Sequence, residues 1–556
     1  MSEPSAVSSP PAAAPSARRW LAVIAIAVSV VVVGLDLTVL NLALPTIAGD
    51  MHASTGDLQW ISDSYSLVLA AVMLPAGMLG DRYGRKRILI LALIVFLASS
   101  AACAYSGGVG ELIAARAFLG IGAAAIFPLA LSVLPVMFGQ EELPKAIAVM
   151  ASASMISFPI GPIVGGDLLD HFWWGSVFLI NVPVVLIALV AVVFLLPESR
   201  SSSKPSIDFP GLGVSSGGLT ALTYGFIRAG QDGWGDAIAI ATMLGGLALL
   251  AVFVWLERSV MSAGGRHPLV DLNLFKSAGF RWGTILTSGV SFAMFGLLFA
   301  MPQYFQEVRG ADALGSGLRL LPLVGGMLVG MISGARLGAP RKDRSGAPLP
   351  AVVSTRVLIT VGFAIMAAAM VMGAFTRAAS STGYAEAWIA LAGLGLGLSM
   401  PSAMNAALSQ LSAERSGSGS ALLSALRQVG ATIGVAILGT LISNAYTAGV
   451  PSAGLPSSLA GLARSSVTGG VEAARALRSV TLLDQVRTAF VHGMDIMLWT
   501  CGGIALAAAL LALAFLPRRP AAAGASARPG EQADPAISTG VADVAGGSQQ
   551  EAQSQL

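Results

Sequence analysis

Two charged residues lie within long apolar runs, where they could take part in proton exchange. Asp36 lies in a run that begins near residue 20, and Arg116 lies in one that begins near residue 110. An isolated charge inside a membrane costs roughly 2.5 to 3.5 kcal/mol on insertion scales, so each needs a partner, water or, for the acid, a proton. A carboxylate that alternates between an arginine and a proton could take up and release a proton as its surroundings change. A permanent structural pair, or a carboxylate that faces water in a cavity, is the alternative.

A second embedded acid, Asp495, lies near the start of the last apolar run and is a candidate for a second proton or cation site. Cys103 and Cys501 also lie in apolar runs, where a free cysteine packs as a small hydrophobic side chain. The four histidines show no spacing typical of metal ligands or of a catalytic cluster. The sequence therefore predicts no metal site, no cofactor and no enzyme activity.

The elements that carry these residues are predicted to be membrane-spanning helices. Aliphatic and aromatic residues make up 55% of the 556 residues, and only 11% are charged. Helices are expected because each backbone polar group in lipid needs a partner within its own segment. Windows of roughly 20 apolar residues give fourteen predicted spans, of which the seventh, residues 211–229, is the weakest. Without the seventh and eighth spans the count would be twelve, and both chain ends would stay on the same side.

The two embedded charges are predicted to lie at similar depth. Asp36 follows the inner end of the first span by about 16 residues, or roughly 24 Å at 1.5 Å per residue. Arg116 lies roughly 9 Å inward from the outer start of the fourth span by the same rise. In a hydrocarbon layer about 30 Å thick, both positions fall in the outer half, so the two side chains can meet.

The basic residues predict the orientation of the chain. Most of the 32 lysines and arginines fall in loops on the side that holds both termini, which the positive-inside rule places in the cytoplasm. The charges are scattered through short loops, so a nucleic-acid partner is not expected. The N-terminal segment lacks a cleavage signature, and the first span is expected to be retained. The predicted location is the cytoplasmic (inner) membrane, with the lipid bilayer as the main surrounding partner.

The order of the apolar spans and the composition of the segments between and around them predict the domain organisation. The predicted segments are a disordered cytoplasmic tail at 1–19, a six-helix bundle at 20–197, a linker with inserted helices 7 and 8 at 198–280, a second six-helix bundle at 281–516 that includes an outer loop at 446–488, and a second disordered tail at 517–556.

The sequence GMLGDRYGRKR, Gly77–Arg87, predicts a tight cytoplasmic turn between the second and third spans. Its glycines permit close approach of the backbone. Asp81 could face the N-terminus of a helix from the other half, an interaction of about 0.3 to 1 kcal/mol when exposed and up to about 2 when partly buried. The residues predicted to gate are Gly77, Gly80, Asp81, Arg82, Gly84 and Arg85. The segment RLGAPRKDR, Arg336–Arg344, is a weak second copy of this motif, which predicts that the two halves of the chain are repeats. Because Ala339 stands at the position of Asp81, the interaction of an acid with a helix N-terminus is predicted for the first copy only.

Several segments resemble the major facilitator superfamily, and within it the 14-spanner drug:proton antiporters. The segments are GMLGDRYGRKR, LDLTVLNLALP (Leu35–Pro45), RAFLGIGAAA (Arg116–Ala125), GPIVGG (Gly161–Gly166), WGSVFLINVP (Trp174–Pro183), PQYFQEVRGADALGSGLRLLP (Pro302–Pro322) and GSGSALLSALRQVGATIG (Gly417–Gly434). The resemblance implies an all-α membrane protein of two six-helix bundles plus two inserted helices. GPIVGG looks like the antiporter motif, with Gly161, Pro162, Gly165 and Gly166 sealing the path against leak. Ordinary packing of small residues is the alternative.

The resemblance implies efflux of drugs or antibiotics in exchange for protons, by a protein acting as a monomer. The expected substrate is a small amphiphilic or cationic drug, with Asn41, Asn181 and Gln303 as polar contacts along its path. An ATP-driven pump is disfavoured because the sequence has no GxxxxGK[ST] phosphate loop. A proton-linked exporter of an endogenous metabolite, such as a siderophore, lipid or self-made antibiotic, is the alternative. A membrane receptor or scaffold of the same fold would show no flux.

Overall fold

Helices form nearly all of the part of the chain that the computed structural model describes. That part comprises residues 16–138, 142–199, 209–263, 272–338, 341–342, 348–349, 353–408, 416–451 and 455–516. The helices are α1 (Ser16–Met51), α2 (Thr55–Tyr83), α3 (Arg85–Ala104), α4 (Val109–Met137), α5 (Leu143–His171), α6 (Ser176–Leu179), α7 (Asn181–Leu195), α8 (Phe209–Asp232), α9 (Ala237–Ala263), α10 (Ala278–Gln303), α11 (Ala313–Gly338), α12 (Thr355–Gly373), α13 (Thr382–Leu408), α14 (Ser416–Gly449), α15 (Ser457–Ser465), α16 (Val467–Ala476) and α17 (Val480–Phe515).

Four short elements complete the described structure. A 3-10 turn, Leu272–Lys276, precedes α10, and a π-helical turn, Tyr304–Val308, extends it. Two antiparallel two-residue strands, β1 (Arg341–Lys342) and β2 (Pro348–Leu349), follow α11. The all-α fold class predicted from the sequence is confirmed.

Eleven helical segments within the described residues are long and apolar enough to cross a membrane. Two of them are composite, since α6 continues into α7 and α10 continues into the π-helical turn. Three more helices lie where the sequence predicted spans, namely α2 and α5 with 29 residues each and α8 with 24. The structure is therefore that of a multi-pass membrane protein. Fourteen crossings are compatible with it, and that number stays a prediction.

Local sequence explains where α2 begins and ends. Ser54 caps its first turn, because the hydroxyl accepts from the Asp57 backbone N–H and the Asp57 carboxylate accepts from the Ser54 N–H. Gly84 ends the helix with a φ of 115°, a conformation that favours glycine, and α3 begins at the next residue. The predicted tight turn is confirmed. We call the side at which α1 ends and α2 begins the outer side, following the predicted orientation.

The apolar interior consists mainly of two clusters. The first lies within residues 22–196, with the addition of Phe299 and Val435. The second lies within residues 286–516. We call residues 20–197 the N-terminal half and residues 281–516 the C-terminal half, and α8 and α9 lie between them in sequence. Between residues 446 and 488, which the sequence predicted to be an outer loop, the described residues include α15, α16 and the first turns of α17. The division into domains stays a prediction.

Candidate functional site

The structure brings Asp36 of α1 into contact with Arg116 of α4. Arg116 Nη1 donates to Asp36 Oδ2 at 2.5 Å, and each side chain is only 1% exposed. The predicted equality of depth therefore corresponds to a direct ion pair. Two ions removed from water recover the lost hydration only if further hydrogen bonds satisfy their remaining donors and acceptors. The role of the pair in proton coupling stays a prediction.

Asn181 at the start of α7 supplies a hydrogen bond to the acid. Its Nδ2 lies 3.4 Å from Asp36 Oδ1 and 3.5 Å from the Ser100 hydroxyl of α3. Asn181 is buried, with 1% of its surface exposed. The sequence assigned Asn181 to the substrate path, but the structure places it beside the ion pair, where it helps to orient the carboxylate.

Helix α2 contacts Arg116, the basic member of the ion pair. Arg116 Nε donates to the Ile61 carbonyl at 3.2 Å, and its guanidinium carbon lies 4.4 Å from the centre of the Tyr65 ring. The Phe178 ring lies on the guanidinium as well, at 5.8 Å. Aromatic faces stabilise a cation, and more so where water is excluded. Residues of five spans thus meet at one buried ion pair inside the N-terminal half.

A further embedded acid, Asp63 of α2, was missed in the sequence analysis. It is 0% exposed, and neither carboxylate oxygen has a hydrogen-bond partner among the described residues. Gln59, one turn earlier, donates from Nε2 to the Ala436 carbonyl of α14 at 3.3 Å. Residues four apart share a helix face, so Asp63 lies on the face of α2 directed at the C-terminal half. The signal was present, because any acid inside a predicted span is a functional candidate.

Asp495 has a partner near the outer surface. Arg377, in the turn between α12 and α13, donates from Nη1 to Asp495 Oδ2 at 3.1 Å. The Arg377 side chain is 64% exposed. The described contacts thus join Asp495 to the outer rim of the C-terminal half. Its assignment as a second proton or cation site stays a prediction.

The motif between α2 and α3 contacts the rest of the N-terminal half. Arg85 Nη1 donates to the Ser132 carbonyl of α4 at 2.9 Å, and the Arg85 backbone N–H donates to the Ser199 carbonyl at 2.8 Å. Gly84 is required by its backbone conformation, with a φ of 115°, whereas Glu198 Oε1, 2.5 Å from the position of an added Cβ, ends a flexible side chain that can shift. The turn is therefore anchored to α4 and to the segment that follows α7.

The structure gives fewer contacts for the other residues that were predicted to gate. A side chain at Gly80 would collide with Leu129 of α4, whereas nothing lies within 4 Å of one at Gly77. The Arg82 guanidinium lies over the neighbouring Tyr83 ring at 5.6 Å. The Asp81 side chain and Ala339 of the weak second copy lie outside the described residues. The gating role of the motif stays a prediction.

The glycines of GPIVGG allow α5 to pack tightly against two helices. A Cβ added at Gly165 would lie 2.7 Å from Val39 Cγ1 of α1, and one at Gly161 would collide with Thr38. A Cβ added at Gly166 would lie 2.6 Å from Leu314 Cα of α11. Real Cβ atoms do not approach so closely, so only glycine fits.

Pro162 extends the contact between α5 and α11. Its carbonyl approaches Gly317 of α11 so closely that a side chain at Gly317 would collide with it. Helix α5 therefore links α1 of its own half to α11 of the other half. The sealing role of Gly161, Pro162, Gly165 and Gly166 stays a prediction.

Asp170 at the outer end of α5 caps a helix of the opposite half. Its two carboxylate oxygens accept from the backbone N–H groups of Ala313 and Leu314, each at 3.0 Å, at the N-terminus of α11. Gln306 also crosses between the halves, donating to the Leu42 carbonyl at 3.0 Å. A carboxylate at a helix N-terminus satisfies free donors and complements the helix dipole. These contacts hold the two halves together on the outer side.

Replacing Asp170 by Ala should loosen the outer closure. Loss of the cap should cost roughly 0.5 to 2 kcal/mol, which raises the population open to the outside about 2- to 30-fold. The test is the labelling rate of a Leu42→Cys variant by an impermeant maleimide added outside, in a background in which Cys103 and Cys501 are replaced. Asp167→Ala is the matched control, because the described contacts of Asp167 are with His171 of the same helix. Equal rates in the two variants would contradict the assignment.

A narrow cavity lies between the two halves. Its lining residues come from α1, α5, α10, α11 and α13, and include Thr38 and Asn41 of α1 and Pro162 of α5. Gln303, predicted to lie on the substrate path, is buried at the end of α10, where its Nε2 donates to the Phe299 carbonyl at 2.9 Å. Gln303 does not belong to the lining of this cavity. Of the three predicted polar contacts, only Asn41 reaches it.

The comparisons of the sequence with known proteins agree on one protein family. The sequence profile of the Major Facilitator Superfamily matches residues 26–435. The chain is 33% identical over 528 residues to the tetracenomycin C resistance and export protein of Streptomyces glaucescens, which covers 92% of this chain and 94% of that protein. It is 34% identical over 483 residues to the multidrug efflux pump LfrA of Mycolicibacterium smegmatis, covering 86% of this chain and 92% of that protein.

The fold is also similar to solved structures. One is a bacterial homolog of the human lysosomal transporter Spinster, in an inward-facing and unoccupied conformation, with a TM-score of 0.63. The match covers 90% of this chain and 98% of that one at 16% sequence identity. At this identity the similarity concerns the arrangement of the helices alone.

Proposed function

The chain belongs to the Major Facilitator Superfamily, and from this premise we propose that it exports drugs or antibiotics across the cytoplasmic membrane in exchange for protons. The observation that carries the proposal is the Asp36–Arg116 pair, buried at 1% exposure inside a transporter fold. Two relatives that match nearly the whole chain are described as an antibiotic resistance and export protein and a multidrug efflux pump. Alternating access between the two halves is the expected transport mode.

The ion pair provides a switch that a proton can operate. When Asp36 is charged, it binds Arg116 and ties α1 to α4. A proton on Asp36 removes the charge that attracts the guanidinium, so that α1 can move relative to α4. Arg116 keeps the Ile61 carbonyl and the Tyr65 ring as partners, which lowers the cost of losing the carboxylate.

Helix α1 connects this switch to the cavity. At about 100° per residue, Thr38 and Asn41 lie roughly 160° and 140° around α1 from Asp36, on the opposite face. Thr38 and Asn41 line the cavity between the halves. Movement of α1 that follows protonation of Asp36 therefore changes the cavity without direct contact between proton and substrate.

The remaining assignments complete the proposal. Both termini face the cytoplasm, and the working unit is a monomer with bundles at 20–197 and 281–516. Asp170 helps to close the outer side, and the motif that contains Asp81 closes the inner side. Asp63, an embedded acid to which no described residue donates a hydrogen bond, is a second site at which a proton can bind during the cycle.

Expression of the chain in a pump-deficient bacterium should raise resistance to part of a panel of dyes, biocides and natural antibiotics. An uncoupler should abolish efflux of the same compounds, because the proton gradient supplies the energy. The measurement is efflux from preloaded cells with and without uncoupler, and an Asp36→Asn strain serves as the control. Efflux that survives full collapse of the proton gradient would contradict proton coupling. Absence of flux for every compound would favour a receptor or scaffold.

An endogenous antibiotic is a second candidate substrate, favoured by the name of the Streptomyces relative, which refers to both resistance and export. Deletion of the gene in the native host would then retain the host's own product inside the cell. Unchanged secretion in the deletion strain would leave general drug efflux as the function.

A further inference from the structure

Another cavity lies on the outer side, between α2 of the N-terminal half and α14 of the C-terminal half. Its volume is about 420 Å³, which is room for roughly a dozen water molecules at about 30 Å³ each. The lining is mostly polar and includes Gly56 and Gln59 of α2, Ser443, Asn444 and Thr447 of α14, and Arg464 of α15. Asn444 and Arg464 are exposed, so the cavity is open to the outer water. We call it the outer pocket.

Gln59 closes the inner end of the outer pocket. It is the lining residue that lies furthest along α2 from the outer side, and it is only 1% exposed. Its Nε2 donates to the Ala436 carbonyl of α14 at 3.3 Å. The two helices are close here, because a side chain at Gly439 would collide with that of Gln59. The amide of Gln59 thus spans the gap between the two halves.

Asp63 lies behind Gln59 on the same face of α2. At about 100° and 1.5 Å per residue, Asp63 is about 20° around the helix from Gly56, about 40° from Gln59 and roughly 6 Å deeper than Gln59. Asp63 is 0% exposed, and no described residue donates a hydrogen bond to its carboxyl group. An embedded acid of this kind needs water or a proton to avoid the cost of a bare charge. One turn of α2 and the side chain of Gln59 separate it from the outer pocket.

The other faces of α2 lead away from Asp63. Ile61 and Tyr65, which contact Arg116 of the ion pair, are each about 200° around α2 from Asp63. Among the described residues, the narrow cavity that Thr38 lines has no lining residue from α2. In the part of the chain that the structure describes, the outer pocket is thus the cavity that borders the Asp63 face of α2.

We propose that protons from outside reach Asp63 through the outer pocket, and that Gln59 is the gate that separates Asp63 from the outer water until the halves part. Gln59 is a positioning residue, because it binds no proton and acts by admitting or excluding water. Opening of the outer side moves α14 away from α2, separates Gln59 from the Ala436 carbonyl and admits water to Asp63. Closure restores the contact, so that Asp63 is not open to both sides at once. The inference rests on the proposed function of the chain as a proton-driven exporter and adds the route by which the proton enters.

Replacing Gln59 by Cys should create a proton leak. The shorter side chain cannot reach the Ala436 carbonyl, so the outer route stays open in every conformation and protons pass without substrate. Loss of this hydrogen bond should raise substrate-free proton entry roughly twofold to tenfold. The measurement is acidification of right-side-out vesicles that hold a pH-sensitive dye, at a clamped membrane potential, with Cys103 and Cys501 replaced. Gln485→Cys is the matched control, since Gln485 is an exposed residue of α17 and its loss should cause no leak.

Labelling from outside should close the leak of the Gln59→Cys variant. An impermeant thiosulfonate with a trimethylammonium group can enter the outer pocket, attach to the new thiol and fill the space of the lost amide. Proton entry should return to the wild-type rate, and an impermeant phosphine reductant should restore the leak. Adding Asp63→Asn should also abolish the leak, because no carboxyl group remains to carry the proton. A leak that survives either labelling or Asp63→Asn would overturn the inference, as would the absence of a leak in a folded Gln59→Cys variant.

Ser443→Cys tests the outer pocket without changing Gln59, and it decides the question if Gln59→Cys does not fold. The same reagent at this position fills the pocket and adds a positive charge near the route. A unit charge about 10 Å from the entering proton should slow proton-driven efflux roughly twofold to fifteenfold, according to how far water screens it. Labelled Gln485→Cys should keep the unlabelled rate. Unchanged efflux after complete labelling of Ser443→Cys would overturn the route.

Failure of the proposed function has a different outcome from failure of this inference. Normal uncoupler-sensitive efflux by the wild-type protein, without a leak in Gln59→Cys, overturns the route alone. Absence of uncoupler-sensitive efflux by the wild-type protein overturns the exporter proposal. The leak and its closure are measured without substrate, so they decide the route to Asp63 in either case.

Discussion

Replacement of Asp36 by Asn should abolish uphill, proton-driven efflux while leaving downhill movement of substrate measurable. Asn keeps the shape of the side chain and can accept from Arg116, but it cannot alternate between a charge and a proton. For exchange that moves one net charge per substrate molecule, a potential of 100 mV supplies about 2.3 kcal/mol, which sustains a concentration ratio of roughly 45-fold at 1.4 kcal/mol per tenfold. This ratio should fall to about one. The measurement is steady-state accumulation of substrate in energised everted vesicles.

The same substitution leaves the Arg116 charge buried without its counter-ion. Breaking one member of a buried pair typically costs about 3 to 5 kcal/mol, so the variant should also unfold at lower temperature. The double variant Asp36→Asn with Arg116→Gln removes both charges and should recover much of that stability without recovering coupling. Recovery of uphill efflux in the double variant would show that the pair is structural. Full uphill efflux by the Asp36→Asn variant alone would contradict the role of Asp36 in proton coupling.

Asp63→Asn should abolish uphill efflux without lowering stability. The wild-type carboxylate is 0% exposed and has no hydrogen-bond partner in the part of the chain that the structure describes, so the substitution removes a group that can hold a proton without breaking any described contact. A bare charge at this position costs roughly 2.5 to 3.5 kcal/mol on insertion scales, and the neutral amide avoids that cost. Thermal unfolding should therefore occur at the wild-type temperature or above it. Efflux in energised vesicles should fall to the level seen with uncoupler.

Asp484→Asn is the matched control for Asp63→Asn. Asp484 is an exposed acid on α17, so its loss should change neither stability nor efflux. The combination of normal folding and lost coupling distinguishes Asp63 from Asp36, whose removal affects both. Normal uphill efflux by Asp63→Asn would mean that the proton needs only the Asp36 site. A large loss of stability would mean that the carboxylate has a structural role.

Motifs and charge depth identified part of the candidate site from sequence. The positions of Asp36 and Arg116 along their spans predicted equal depth, and Arg116 Nη1 indeed lies 2.5 Å from Asp36 Oδ2. Asn181 was predicted to lie on the substrate path, but its side chain donates a hydrogen bond to Asp36 of the ion pair and does not line the cavity. Depth follows from counting residues along one helix, whereas the direction of a side chain depends on how neighbouring helices are rotated.

The outer contacts illustrate the same limit. Asp170 lies at the end of a predicted span, where a solvated surface charge is the ordinary expectation. In the structure it caps α11, 143 and 144 positions further along the chain. Such a contact depends on the close approach of α5 and α11, which Gly166 and Gly317 permit. The glycines could be read from the sequence, but the sequence did not indicate which helix packs against them.

The sequence by itself determined the all-helical membrane class, the order of the apolar segments and the depth of Asp36 and Arg116. These properties follow from hydropathy and from the rise per residue, which are local or one-dimensional. Only the tertiary structure decided that Asp36 and Asn41 lie on opposite faces of α1 in different surroundings, and that Asp63 has no hydrogen-bond partner among the described residues. Partners and their absence are properties of the whole packed bundle, because they depend on every helix that approaches a side chain.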